Sequence, residues 1–341
     1  MQTSTAAVAP ENFEHRHAAH CESGTVATLL RSRGLDLSEP MIFGIGSGLF
    51  FFYMPLIKMG GMPLTAYRDA PRTIIKHISK RLGIRFESHR YKSPAQGKVA
   101  LDAFLAKGMS VGIQVNVFWL PYFPPEMRFQ YNGHNMVAYG RQGNDYLISD
   151  PVTDHPVTCD NDSLQRARFA KGAFAPKGLI YYPVQVPTNP DIKPAVIDAI
   201  NYTAKRMLDI PMPFFGVRGI RWLAKLMERW PRRHGEKKAA AMVGNVVRMQ
   251  EEIGTGGAGF RFMYAAFLQE AGELLNNDKL KQASSMLSDA GDRWREFALQ
   301  GAMLCQGRNS GADAYLGLAE IMRDCADREE KVYQLMREAV S

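Results

Sequence analysis

The spacing of apolar residues changes near residue 187. Before it, short apolar runs alternate with glycine and proline. Residues 109–118 (MSVGIQVNVF) alternate with the period of a β-strand, and residues 135–140, 146–149 and 179–186 read the same way. Gly143 and Asn144 tolerate positive φ, so the middle two runs are expected to join as a hairpin around residues 141–144. Helical spacing appears at 24–33, 71–82 and 97–106, which makes this half α+β. Residues 186–191 (VPTNPD) read as a linker. Beyond them the spacing is helical over 191–208, 215–230, 235–253, 258–276, 278–305 and 311–339, with breaks at 276–278 and 309–311. The expectation is an α+β domain over residues 1–186 and an all-helical domain over residues 187–341.

Composition narrows the class. A chain of 341 residues, 46% hydrophobic and 22% charged, is ordinary globular protein and long enough for two domains. Cys21, Cys159, Cys305 and Cys325 are too scattered for a disulfide framework, and no CxxC pair suggests structural zinc. Reduced thiols point to the cytoplasm. The first twenty residues lack a basic segment followed by an apolar one, so no secretory signal is expected. The apolar run 41–59 has the length of a membrane span. It contains Gly44, Gly46, Ser47, Gly48 and Pro55, and reads instead as a buried segment. A net charge of +8 suggests acidic partners. No nucleic-acid motif is present, so an acidic carrier protein is favoured over nucleic acid. Self-association stays open.

The candidate chemistry lies in the first half. Cys21 begins a predicted helix, in the run HCESGT. A thiol placed there feels the positive end of the helix dipole, which favours the attacking thiolate form. His134 starts one apolar strand and Asp150 ends the next. If those strands pair, the two side chains meet at one end of the sheet. Each residue has a plainer reading: a small buried thiol, a strand-edge histidine, an Asp-Pro turn. Together they supply a nucleophile, a base and an orienting acid. The chain order Cys, His, Asp, with the cysteine on a helix and the histidine on a strand, is that of papain-like enzymes. His15, His17, His20 and Cys21 also fall within seven residues. Their spacing fits no zinc module, so no metal is expected.

These runs carry a resemblance. HCESGT at residues 20–25, followed by GLDLSEPMIFGIGSGLFF at 34–51, resembles the N-terminal domain of the butirosin-biosynthesis acyltransferase family. Gly133-His134 and Ser149-Asp150-Pro151 are similar to its later motifs, and IGTGGAGFRFMY at 253–264 is similar to the helical domain that often follows it. The resemblance covers residues 15–340. It implies a papain-like fold with an appended helical domain, and transfer of an acyl group from an acyl carrier protein to a small amine. The acyl group would pass through a thioester on Cys21, with His134 as general base and Asp150 orienting it. The family's founding activity concerns an aminoglycoside acceptor. No tightly bound cofactor is implied; the donor would bring its own phosphopantetheine. One departure stands out: His15 lies six residues before Cys21, where many papain-like enzymes place an oxyanion-hole glutamine. The backbone N–H of Cys21, at a helix start, is a candidate donor in its place.

Other segments have two readings each. Residues 44–48 (GIGSG) form either a phosphate-binding loop or, better, a packed turn beside the helix that carries the cysteine. The glycine-rich turn 254–259, with Gly256, Gly257 and the following Arg261, either holds a carboxylate or phosphopantetheine phosphate or packs tightly between domains. The aromatic stretch 116–125, with Trp119 and Tyr122, walls an acyl channel or forms a packed surface loop. Arg218, Arg221, Lys225 and Arg229 share one helical face, which docks an acidic carrier or is merely solvated. Two rival functions use the same residues: a cysteine hydrolase, and a binding protein on a peptidase-like scaffold.

Overall fold

The computed structural model describes residues 9–253 and 255–341. Residues 1–8 of the N-terminal segment, and Gly254 of the glycine-rich turn, lie outside the described residues. The chain begins with α1 (Cys21–Arg31) and α2 (Glu39–Ile45), then a hairpin of β1 (Leu49–Met59) and β2 (Met62–Arg68). There follow α3 (Thr73–Leu82), β3 (Arg85–His89), α4 (Pro94–Ala106), β4 (Val111–Val115), β5 (His134–Gln142), β6 (Asp145–Ser149), β7 (Val157–Asp160), α5 (Asn161–Arg168) and β8 (Ile180–Gln185). The remainder is helical: α6 (Lys193–Leu208), α7 (Gly216–Met227), α8 (Trp230–His234), α9 (Glu236–Glu251), α10 (Arg261–Leu274), α11 (Asp278–Cys305) and α12 (Ala312–Ala339).

The chain divides into two compact units. The first comprises the described residues up to Ile42 together with Ile74–Pro190. Its six-stranded sheet has the order β3-β8-β4-β5-β6-β7, and every pairing is antiparallel. The β5–β6 hairpin turns at Gly143, whose φ is +61°. α1 packs against β4, β5 and β8 and is buried from Cys21 to Leu30. Burying side chains such as Val26, Leu29 and Leu30 contributes about 1.5–3 kcal/mol each. A second apolar cluster joins Leu101 and Leu105 of α4 and Leu164 of α5 to Ile113, Met136 and Ile148 of the strands. A helix bearing the cysteine, laid on an antiparallel sheet bearing the histidine, is the papain-like arrangement.

The second unit comprises Phe43–Thr73 and Asp191–Ser341. Its helices α6–α12 are joined by the β1–β2 hairpin. The expected boundary at 186/187 therefore needs two corrections. The chain leaves the first unit after Pro190, and residues 43–73 belong with the helices. Aromatic packing explains the second. Phe51 and Tyr67 of the hairpin meet edge to face at 5.3 Å, and Tyr67 meets Trp294 of α11 at 5.5 Å. The apolar run 41–59 is also not one buried segment. It ends α2, turns, and forms β1, whose outer half is exposed: Leu56 is 95% accessible. The turn of residues 44–48 is a packed one, as favoured. Its neighbour, however, is the helical unit, because a Cβ on Gly44 would lie 2.1 Å from the Phe267 ring. Among the described residues, no helix is long and apolar enough to cross a membrane.

Candidate active site

The start of α1 is held from three directions. His20 is its N-cap, and the imidazole Nδ1 accepts the Ser23 backbone N–H at 3.3 Å. Glu39 reaches the same place from α2. Its two carboxylate oxygens accept the backbone N–H groups of Ala19 and His20 at 2.8 Å each, and the Ser23 hydroxyl donates to it at 2.9 Å. Burial pushes the Glu39 carboxyl upward, and the two N–H donors pull against that shift. On the third side, the Ala18 N–H donates to the Pro151 carbonyl at 2.6 Å. Gly24 allows this approach: a Cβ there would lie 2.6 Å from Ala18 and 2.7 Å from Pro151. The Cys21 thiol is thereby fixed on a helix whose start is pinned to the turn that follows Asp150.

His134 opens β5, paired with Val115 of β4, and Asp150 directly follows β6. The His134 Nε2 and Asp150 Oδ2 atoms are 2.7 Å apart, with Asp150 fully buried and His134 nearly so. Nδ1 is then the ring nitrogen left for the thiol. Burial alone would push the His134 imidazole down. The charge and hydrogen bond of Asp150, with the Cys21 side chain adding to them, outweigh burial and raise it to about 10. The imidazole therefore carries its proton at neutral pH. The structure brings the three expected residues together. Burial pushes the Cys159 thiol up to about 12 and raises Cys305 and Cys325 as well.

Two neighbours were not foreseen in these positions. Asn135 Nδ2 lies 4.0 Å from Cys21 Sγ and donates to the Gly133 carbonyl at 3.0 Å. A carbonyl only accepts, so the amide nitrogen faces the thiol, and the Tyr181 hydroxyl donates to the amide oxygen behind it at 3.0 Å. Asn135 adjoins His134 in the sequence, which was its only signal. Tyr122 belongs to the stretch read as an acyl-channel wall or a packed loop. Its hydroxyl donates to Asp150 Oδ2 at 2.7 Å, on the oxygen that also faces His134. Asp150 Oδ1 accepts the Val152 N–H at 3.2 Å.

The remaining expectations are redistributed. Trp119 lies beside Phe118 and under the Arg166 guanidinium, 5.4 Å from the ring centre. His15 does not face the thiol. Its Nε2 donates to the Thr153 carbonyl at 2.9 Å, and its Nδ1 lies 2.7 Å from the Ser149 hydroxyl. Among the described residues no three His, Cys, Asp or Glu side chains converge on a metal-sized point. In the helical unit, Arg261 is not available to an anion. It is fully buried and bidentate to Glu329 at 2.8 and 3.0 Å, and it also donates to the Gly259 carbonyl. Gly256 and Gly257 adopt positive φ in the turn before it, and the Gly257 N–H donates to the Thr255 hydroxyl. On α7, Arg221 is committed to Asp327 and Glu330 at 2.6 Å each, while Arg218, Lys225 and Arg229 are exposed.

Two family models match the chain. One is described as "Butirosin biosynthesis protein H, N-terminal" and covers residues 20–151. The other is described as "Domain of unknown function (DUF4872)" and covers residues 162–336, half of the chain. Among solved structures, a C39-like peptidase from Bacillus anthracis aligns with 15% identity and a TM-score of 0.37, over 53% of this chain and 100% of that one. No curated protein matches.

Proposed function

Because the chain belongs to the family that joins a butirosin biosynthesis protein H N-terminal domain to a DUF4872 domain, we propose that it is a cysteine-dependent N-acyltransferase. It takes an acyl group from a thioester donor on an acyl carrier protein and passes it to a small amine. The observation that carries this reading is the 2.7 Å contact between His134 and Asp150 beside Cys21. It supplies an imidazole able to hold the proton that the Cys21 thiol gives up. The Cys21 thiolate attacks the donor carbonyl, and the donor C–S bond breaks. The leaving thiolate takes the proton of the His134 imidazolium. The amine then attacks the Cys21 thioester, the now neutral imidazole accepts the amine proton, and the Cys21 thiolate departs. The Cys21 N–H and Asn135 Nδ2 are the groups placed to stabilise the oxyanion in both steps.

The test is intact-mass detection of an acyl adduct after mixing with an acyl-carrier thioester. The adduct is expected on wild type and absent from Cys21→Ala. Retention of the adduct in Cys21→Ala ends the assignment. Cys305 is exposed, so the measurement is made in a Cys305→Ser background. Adding candidate amines then separates the two outcomes of one intermediate. Amide formation supports the transferase, and release of free acid at the same rate with and without amine favours the hydrolase.

A further inference from the structure

A cavity of about 580 Å³ opens in the first unit between the segment after β3 and the loop after α5. Arg90, Lys92, Lys171 and Lys177 line it with Tyr91 and Phe169, and no Asp or Glu is among its lining residues. All four cations are exposed. The two segments are tied together, since the Tyr91 N–H donates to the Lys177 carbonyl at 3.1 Å.

A fifth cation lies behind the wall. Arg168 is fully buried, its guanidinium 5.8 Å from the Phe169 ring. It donates to the Gly97 and Gly178 carbonyls and to Gln165, but it has no carboxylate partner, and its Nε has no hydrogen-bond partner. Burial lowers it to about 10, which still leaves it charged at neutral pH. A buried cation without a direct ion pair is costly, and, with Asp102 acting on it only at longer range, it leaves positive potential behind the wall.

The loop that lines the cavity is also tied by hydrogen bonds to the chain beside the thiol. Asn132 Nδ2 donates to the Lys171 and Ala173 carbonyls at 3.1 and 2.8 Å, and Gln114 Nε2 donates to the Phe174 and Asn132 carbonyls. The residue after Asn132 is Gly133, whose carbonyl is 3.9 Å from Cys21 Sγ. The basic loop is thus anchored one residue away from the backbone that touches the nucleophile.

We propose that this cavity binds the phosphate of the acyl donor, so that a phosphopantetheine arm lies with its phosphate among Lys171, Lys177, Arg90 and Lys92 and its thioester at Cys21. The proposal rests on the acyl-transfer reading for the identity of the donor, and on the cavity for the phosphate. The same chemistry is offered by a carrier protein and by free coenzyme A, so both are donors in the test.

Binding is measured by calorimetry on Cys21→Ala, which cannot turn over, with phosphopantetheine and with pantetheine as probes. Phosphopantetheine is expected to bind about tenfold or more tightly, as charge-assisted contacts to phosphate allow. Lys171→Gln with Lys177→Gln should erase that difference and leave pantetheine binding unchanged. Arg218→Gln with Lys225→Gln and Arg229→Gln should leave the difference intact. Equal binding of the two probes, or a difference that survives at 171 and 177 but vanishes with the α7 triple variant, overturns the proposal. Adduct formation is followed in parallel on protein with Cys21 intact. Coenzyme A and carrier donors that gain equally from the cavity show that it reads the phosphate in either setting. A gain confined to the carrier shows that the carrier's surface is read instead, and overturns the proposal. Absence of any Cys21 adduct ends the acyl-transfer reading, while the calorimetry still decides the phosphate site.

Discussion

The Glu39 carboxylate accepts the backbone N–H of His20 at 2.8 Å, immediately before Cys21. With the Ala19 N–H on its other oxygen, it fixes the path of the chain into α1. Glu39→Gln places an NH2 group against one of two N–H donors, and leaves a buried donor unmet at a cost of about 1–3 kcal/mol. The expected result is a lower melting temperature and slower alkylation of Cys21 by iodoacetamide, measured in the Cys305→Ser background. Alkylation unchanged from wild type would show that Glu39 supports the fold without positioning the thiol.

His134 links pH to stability. Its imidazole titrates near 6.5 when the chain is unfolded and at about 10 in the folded protein. The folded state therefore holds the proton more tightly. The stability this group contributes is full below pH 6.5 and is lost as pH rises toward 10. Asp150→Asn removes the charge that offsets burial, and should flatten that decline in chemical denaturation between pH 6.5 and 10. In turnover, His134→Ala should abolish activity, while Asp150→Asn should be about 10²-fold less severe, as for the orienting member of comparable triads. A decline of equal slope in both proteins would place the titrating group elsewhere.

In the helical unit, Glu329 accepts from Arg261, Trp294 and Tyr333, with all of these side chains buried. Arg261→Met leaves a buried carboxylate without its cation, and should cost about 3–5 kcal/mol. Adding Glu329→Leu should restore part of that loss, because the apolar pair removes both charges while leaving the buried Trp294 N–H and Tyr333 O–H without their acceptor. Denaturation of the single and double variants measures this. If the double variant is as unstable as the single one, the ion pair is not what the site depends on.

These residues show what the sequence could convey. Alternation revealed β4, β5, β6 and β8, and the ends of α11 and α12 were legible because Asn277 caps one and Gly311 precedes the other. The strands β3 (RFESH) and β7 (VTCD) are sheet edges with few apolar residues, and the burial of β1 changes halfway along it, so no period emerges in any of them. Cys21, His134 and Asp150 were visible because local motifs mark them. Glu39 was not, since its role exists only once α2 lies beside the start of α1. The Tyr122 contact with Asp150 was not legible, because an aromatic, proline-rich run advertises apolar surface and says nothing of where its hydroxyl points. Arg261 was left with two readings for a parallel reason. A glycine turn leading into a helix with an arginine is how an anion site looks, and the carboxylate that occupies it is 68 residues away.

Synthesis order gives the hairpin of residues 43–73 a consequence of its own. It leaves the ribosome before any of the first unit's sheet and long before α11. The strands from β3 to β8 are complete while Phe51 and Tyr67 still lack Trp294. The unit bearing Cys21 therefore finishes first, with an aromatic hairpin hanging from it that only the helices after residue 190 can cover. A nascent chain released after residue 190 would carry the whole triad and an unmatched apolar surface together. The helical half thus guards solubility as well as contributing its own fold.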